Sequence, residues 1–222
     1  MSEAPVIRAV GDIATLRRLE ALQVAVWGEG DLPDPADLMA AVVEAGGLVA
    51  VAADAKGEPV GYLFGFPTRD PARQHSHRLG IRPDWQGRGL GKRLKHFQRD
   101  WCLAQGIRLV TWTFDPARTP NAALNIGVLG ASARTYLRDY YGEMAGINAG
   151  VPSDRLLVEW HLPTPDPIRP EAAARIVPLD AGGDDPLARR LALRAALEGA
   201  FAEGLAIRGF DPAGGGRYLL AP

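Results

Sequence analysis

A glycine-rich hexapeptide, Gln86-Gly87-Arg88-Gly89-Leu90-Gly91, constrains the fold of this chain more than any other feature. It follows a predicted strand that stops at Pro83, and it opens a predicted helix over 90–104 whose apolar residues recur at helical spacing. Glycine allows positive φ angles and lets the backbone approach a ligand closely. Free N–H groups at the start of a helix favour an anion, above all a phosphate. The hexapeptide therefore predicts a phosphate-binding turn between a strand and a helix.

Two common phosphate-binding motifs do not fit this segment. The dinucleotide fingerprint requires its third glycine at the position of Lys92. The Walker loop requires glycine at the position of Gln86 and serine or threonine at that of Arg93. Residue spacing thus excludes both.

The same residues resemble a motif of the GNAT superfamily of N-acetyltransferases. Gln86, Gly89 and Gly91 match its Gln/Arg-x-x-Gly-x-Gly/Ala pattern, and Ile81-Arg82-Pro83 is similar to its lead-in. The segments Ser76-His77, Trp112–Pro116 and Tyr140-Tyr141-Gly142 resemble a bacterial branch of this superfamily. The resemblance covers residues 5–162 and implies an α/β (α+β) fold with a mixed sheet, in which some neighbouring strands are parallel and others antiparallel.

Hydrophobic periodicity and turn signals predict the order of the elements. Predicted strands cover 5–10, 48–53, 60–66, 75–81, 109–114, 134–141, 155–161 and 175–179. Predicted helices cover 13–27, 36–45, 90–104 and 186–203, and another begins with Thr119 as its cap and Pro120 at its first position. A last hairpin is predicted around 214–216.

Four prolines between 163 and 170 predict a linker. We therefore expect a GNAT acyltransferase domain over 1–162, followed by a Pro-rich linker and a C-terminal α/β extension over 163–222. The extension either packs over the acceptor site or forms the interface of a homodimer.

Composition excludes several classes of protein. The net charge of −1 argues against a dedicated nucleic-acid or membrane-surface binder. No apolar stretch approaches the ~18 residues that span a bilayer, and no secretory signal is visible, so we expect a cytoplasmic protein. The single cysteine, Cys102, predicts a buried inert thiol, and the histidines have no metal-site spacing.

The resemblance implies an acyl-CoA, such as acetyl-CoA, as co-substrate, with no metal. Its pyrophosphate would bind the backbone of the turn. Its pantetheine arm would bind the strand before the turn and Asn121 of a later helix. Asn125 is either a second contact or an exposed residue, and a helix would place it on the same face as Asn121. Eight basic side chains over 73–99 support an anion site, and we expect about half of them to contact phosphate. The implied set is Leu79, Ile81, Gln86, Gly87, Arg88, Gly89, Leu90, Gly91, Lys92, Asn121 and Asn125.

The catalytic groups are less constrained. Many GNAT enzymes place a tyrosine acid where this chain has Ile126, so Tyr140 or Tyr141 is the expected replacement. A strand would place His75, His77, Leu79 and Ile81 on one side. His77 is then either the base that accepts the proton of the amine or a core histidine.

Residues at the carboxyl end of the strand over 109–114 are the expected acceptor site, because ligands collect there in open α/β sheets. These are Trp112, Thr113 and Asp115; Asp115 either binds an ammonium group or only forms a turn. The expected reaction is direct acyl transfer to a small-molecule amine. The alternatives are a protein or peptide acceptor, or an acyl-CoA-binding module without turnover.

Overall fold

The computed structural model describes residues 4–142 and 151–222. The chain divides into two compact units, Met1–Val110 and Thr111–Pro222. The helices of the first unit are α1 Ile13–Trp27, α2 Ala36–Glu44 and α3 Leu90–Ala104, and its strands are β1 Val6–Ala9, β2 Leu48–Ala53, β3 Pro59–Pro67 and β4 Arg73–Ile81. Strand β5 Leu109–Phe114 spans the division. The second unit contains α4 Thr119–Ala122, α5 Pro186–Ala202, β6 Ser132–Leu137, β7 Arg155–His161, β8 Arg175–Pro178, β9 Ala206–Asp211 and β10 Arg217–Ala221.

The first unit is an antiparallel sheet in the order β1-β2-β3-β4. Helix α1 begins where the Asp12 carboxylate accepts a hydrogen bond from Thr15 N–H at 2.9 Å. Asp54 shapes the β2–β3 turn, because its carboxylate accepts from the N–H groups of Lys56 and Glu58. Local side-chain bonds therefore set both boundaries.

Two apolar clusters cover the two faces of this sheet. One packs α1 and α2 onto the sheet, and its members include Leu16, Leu19, Met39, Tyr62 and Phe64. The other packs α3 onto the opposite face, and its members include Leu48, Leu63, Leu90 and Leu94. Helices thus cover both faces of the sheet over β2 and β3.

In the second unit the strand order is β5-β7-β6-β9-β10-β8. Ala133 of β6 is opposite Ile207 of β9, so the C-terminal segment continues the sheet rather than forming a separate one. Helix α5 is capped by the Asp185 carboxylate and has Pro186 at its start. Among the described residues, no helix is both long enough and apolar enough to cross a membrane.

The predicted α/β class and most element bounds are confirmed. The strand expected over 134–141 is wrong at its end, because β6 stops at Leu137 and Asp139 takes a positive φ of 45° that a strand cannot accommodate. The helix expected at Thr119 is also different: α4 lasts one turn and continues as a wider π-helical turn, Ala123–Val128. The domain boundary between residues 162 and 163 stays a prediction.

Candidate functional site

The turn between β4 and α3 has the backbone shape that its glycines predict. Gly87 and Gly89 have φ angles of 73° and 72°, in the left-handed region that favours glycine. A Cβ atom at either position would meet no heavy atom within 4 Å, so the space in front of the turn is open. Helix α3 starts directly after Gly89, and its first N–H groups have no acceptor within the helix. The turn can therefore donate several backbone hydrogen bonds to a diphosphate.

Side chains brace the turn and leave its backbone accessible. Gln86 Nε2 donates to the carbonyl of Ile81 at 3.0 Å, which ties the turn to the end of β4. Arg82 binds Asp84 through two hydrogen bonds of 2.7 and 2.9 Å, and this pairing lowers the pKa of Asp84. Arg88 donates to the carbonyl of Asp84 at 2.9 Å. The turn is thus largely pre-formed.

The basic side chains near the turn differ in what they contact. Arg88 and Lys92 are exposed at the turn itself, so they are the best placed of the basic residues to meet a phosphate. At least six of the eight basic residues over 73–99 donate to protein groups: Arg78 to Asp31, Arg82 to Asp84, Arg88 to the carbonyl of Asp84, Arg93 to Pro5, Lys95 to Ser76 and Arg99 to Asp100. The local basic field is therefore smaller than the residue count indicates.

Strand β4 contains a β-bulge directly upstream of the turn. Phe64 of β3 is opposite Arg78, whereas the next residue, Gly65, is opposite Ser76. His77 is therefore an additional residue on β4. A bulge removes the backbone of its extra residue from the ladder and re-aims the neighbouring side chains.

The bulge overturns the predicted face of β4. An uninterrupted strand would place His75, His77, Leu79 and Ile81 on one side. Instead, His77 stacks on Phe66, which packs on the α1 side, whereas Leu79 and Ile81 pack into the cluster under α3. One extra residue in a strand reverses which face of the sheet the following side chains lie on. The hydrophobic pattern of the sequence does not indicate this bulge.

His77 has both an acidic and an aromatic partner. Its Nε2 lies 3.3 Å from Asp34 Oδ1, and its ring stacks on Phe66 with 4.7 Å between centroids. The His77 side chain is 32% exposed, so a substrate can reach it. His75 differs, because burial, together with the charges of His77 and Arg73, lowers the pKa of His75 to about 4 and keeps it neutral near pH 7. Exposure and a carboxylate partner therefore distinguish His77 from His75.

The two predicted asparagine contacts differ in their exposure. Asn121 is exposed in α4, whereas Asn125 lies in the π-helical turn and is buried. Thr119 is not the cap: it is the first residue of α4, and its hydroxyl donates to the carbonyl of Gly215 at 3.0 Å. Ile126 is fully buried, so this position has no access for a catalytic acid.

Two of the three predicted acceptor residues at the end of β5 are engaged within the protein. Trp112 is buried and packs edge-to-face against Trp160, with 6.1 Å between ring centroids. Asp115 accepts two hydrogen bonds from Arg190, of 3.0 and 2.9 Å, and this pair is largely shielded from solvent. The Asp115 carboxylate is thus already neutralised by a guanidinium.

Tyr140 and Tyr141 lie in the turn after β6 and are both about half exposed. The N–H of Tyr141 donates to Ser153 Oγ at 2.9 Å, and Ser153 is bound in turn by the carboxylate of Asp139. The Tyr141 hydroxyl lies 3.3 Å from Thr113 Oγ1. The structure therefore brings one predicted catalytic tyrosine together with one predicted acceptor residue.

The arginines of α5 were not identified from the sequence. Arg190 binds Asp115, and Arg194 binds Asp154 with both of its donor nitrogens. Their spacing of four residues, which places them on one helix face, was the only available signal. It identifies neither carboxylate partner.

A buried polar cluster lies between α3 and β4. Lys95 Nζ donates to Ser76 Oγ at 2.9 Å and to Gln98 Oε1 at 3.0 Å. Burial lowers the pKa of Lys95 to about 7, and burial raises the pKa of Cys102 to about 12. Cys102 is therefore a buried protonated thiol, as predicted. Within residues 4–142 and 151–222, no three metal-ligating side chains are grouped as a metal site requires.

A strand that leads into an open glycine turn at the start of a helix suits a donor that contains a diphosphate, such as an acyl-CoA. A sequence model of the acetyltransferase (GNAT) family matches residues 14–124, half of the chain, and the chain belongs to that family. As a member of that family, it is an acyl-CoA-dependent N-acetyltransferase.

Solved structures of similar fold include enzymes for different acceptors. The ribosomal-protein-S18-alanine N-acetyltransferase of Escherichia coli is 15% identical, with a TM-score of 0.59 over 71% of this chain and 93% of that chain. A phosphinothricin acetyltransferase of Sinorhizobium meliloti in complex with AcCoA is 20% identical, with a TM-score of 0.57 over 71% and 88%. An N-acetyltransferase of Staphylococcus aureus is 14% identical, with a TM-score of 0.58 over 72% and 99%. At these identities the likeness concerns the fold. No match is found among curated proteins.

Proposed function

We propose that this enzyme transfers an acetyl or succinyl group from acyl-CoA to the primary amine of a small molecule, with an amino acid as the favoured class of acceptor. The main support is the geometry of strand β4, because one end of it leads into the open turn over 86–91 and its bulge presents His77. Donor binding and proton removal are thereby assigned to a single strand.

The turn supplies the binding of the donor. Backbone N–H groups from Gln86 to Gly91 would hold the pyrophosphate, with Arg88 and Lys92 adding positive charge. Backbone groups of Leu79 and Ile81 would hold the pantetheine arm. The bulge supports a further proposed role, in which a backbone N–H that leaves the β3 ladder there would polarise the thioester carbonyl; such a donor is worth ~3 kcal/mol in comparable sites.

His77 is the proposed base. Its imidazole takes a proton from the acceptor ammonium, and the free amine then attacks the thioester carbon directly. A C–N bond forms and the C–S bond breaks, with its electron pair passing to sulfur. No covalent intermediate on the enzyme is required.

Tyr141 is the proposed acid for the departing thiolate. Its hydroxyl contacts Thr113, and the guanidinium of Arg155 lies 4.9 Å from the centre of its ring. Tyr140 is equally exposed, but its backbone N–H bonds to the Ser153 carbonyl at 3.2 Å, and its ring packs edge-on to Tyr141. We propose that Thr113 contacts the acceptor beside Tyr141.

Release of free thiol tests this function. Acetyl-CoA and succinyl-CoA are offered with amino acids, polyamines, aminoglycosides and short peptides, and the wild type is compared with H77A and H75A. We expect turnover with small amines, a loss of about a hundredfold or more in H77A, and a near-normal rate in H75A. Turnover with peptides alone would favour the peptide acceptor, and no thiol release with any amine would indicate a binding module. A homodimer and a cytoplasmic location stay predictions.

A further inference from the structure

The connection between α1 and α2 brings two aspartates to the bulge of β4. Asp34 Oδ1 lies 3.3 Å from His77 Nε2, and Asp34 Oδ2 lies 3.5 Å from Arg78 Nε. Asp31 Oδ1 accepts from Arg78 Nη2 at 2.9 Å. Both carboxylates therefore contact Arg78, but only Asp34 contacts His77.

Asp34 is fixed by its backbone, independently of its carboxylate. Its N–H donates to Gln23 Oε1 at 2.8 Å, and its carbonyl accepts from Gln23 Nε2 at 3.3 Å. Gln23 is buried in α1, and the Asp34 side chain is 12% exposed. The carboxylate is thus held in place before a substrate binds, which lowers the entropic cost of orienting a partner.

The charges near His77 do not cancel. Two carboxylates, Asp31 and Asp34, face a single guanidinium, Arg78, which leaves one negative charge in excess. His75 and Tyr62 add no charge of their own. His75 is neutral because burial lowers its pKa to about 4, and burial raises the pKa of Tyr62, which keeps that phenol neutral. Phe64 and Phe66 supply apolar surface on the β3 side.

We propose that Asp34 is a positioning residue for His77, an inference that rests on the proposed function of His77 as the base. An ionised carboxylate can only accept, so Asp34 fixes the proton of neutral His77 on Nε2. Nδ1 is then left to take one proton from the acceptor ammonium. The second proton leaves the nitrogen after the C–N bond has formed. One of the two protons completes the free thiol, and the other passes to solvent.

The variants D34N and D31N form a matched pair for the test. Each removes one carboxylate that contacts Arg78, but only D34N removes the partner of His77. The bonds from Gln23 reach the backbone of Asp34, so D34N retains the anchorage of the segment. Circular dichroism checks that both variants fold.

Two readouts are compared between the variants. Heteronuclear NMR of the imidazole nitrogens, assigned with H77A, should show His77 protonated on Nε2 in the wild type and in D31N, and as a mixture of tautomers in D34N. In D34N alone, kcat should fall about tenfold or more with the KM for acyl-CoA unchanged.

The two hypotheses fail in different ways. Full activity of H77A would reject His77 as the base, while the NMR measurement would still decide whether Asp34 fixes its tautomer. If H77A loses activity but D34N keeps the wild-type tautomer and kcat, Asp34 has no positioning role and this inference is wrong.

Discussion

Arg194 on α5 donates two hydrogen bonds, of 2.9 and 2.7 Å, to the carboxylate of Asp154, which has no exposed side-chain surface. The Tyr136 hydroxyl donates to the same carboxylate at 2.8 Å, and Asp139 N–H donates at 3.0 Å. Burial by itself raises the pKa of Asp154, but the hydrogen bonds from Arg194, Asp139 and Tyr136 lower it overall. Helix α5 therefore supplies the charge that the buried Asp154 requires.

Replacing Arg194 should strongly destabilise the protein. R194M leaves the buried carboxylate of Asp154 without its cation, which costs about 3–5 kcal/mol in comparable sites. R138M is the control, because Arg138 also pairs with α5, through Glu198, but is 64% exposed, so its loss should cost far less than that of Arg194. Urea unfolding measures both free energies. Equal losses of unfolding free energy in R194M and R138M would contradict the conclusion that the buried Asp154 requires the charge of Arg194.

Truncation after Leu162 tests the predicted domain boundary. The fragment over 1–162 retains Asp115 and Asp154 but lacks Arg190 and Arg194, so two shielded carboxylates lose their partners. We expect no cooperative thermal transition by circular dichroism, in contrast to the full chain. A cooperative transition in the fragment would instead show that residues 1–162 fold on their own.

Introducing a carboxylate at Gly89 should abolish donor binding. G89E places a negative charge in the open space before α3, where the pyrophosphate is proposed to bind, and the Kd for coenzyme A should rise about a hundredfold or more. G106E is the control, since Gly106 has a similar φ of 77° with open space around it and follows the other end of α3. Calorimetry with coenzyme A distinguishes them. Unchanged binding in G89E would reject the turn as the diphosphate site.

The two tyrosines should differ in their effect on turnover. Y141F removes the hydroxyl that contacts Thr113, and kcat should fall about tenfold, less than for most general acids because a thiolate is a good leaving group. Y140F should retain wild-type kcat. A larger loss of kcat in Y140F than in Y141F would indicate that Tyr140, and not Tyr141, is the acid.

Lys95 should make the stability depend on pH. Burial lowers its pKa to about 7 in the folded state, from 10.5 in an exposed lysine. The unfolded chain therefore binds the extra proton between these values, and the free energy of unfolding rises with pH across that window. K95M removes this dependence, so its stability relative to the wild type should be highest at and below about pH 7 and should decline toward pH 10.5. A constant difference, measured by urea unfolding, would show that Lys95 titrates normally.

The sequence alone determined the parts of this protein that local backbone preference controls. Glycine spacing in the turn over 86–91 predicts the left-handed φ angles at Gly87 and Gly89, because only glycine adopts them without strain. The helices over 13–27 and 90–104 and the strand over 109–114 match the structure residue for residue, since each has an uninterrupted apolar period.

The tertiary structure decided which polar and charged side chains meet and which are exposed. The bulge at His77 reverses one face of β4, and packing buries Asn125 but leaves Asn121 exposed. Asp34 meets His77 across 43 residues, and Asp115 meets Arg190 across 75. A residue's own type and neighbours fix its backbone preference, but the partner of a charged side chain depends on how distant segments pack. That packing is absent from any local pattern, so only the folded chain pairs these groups.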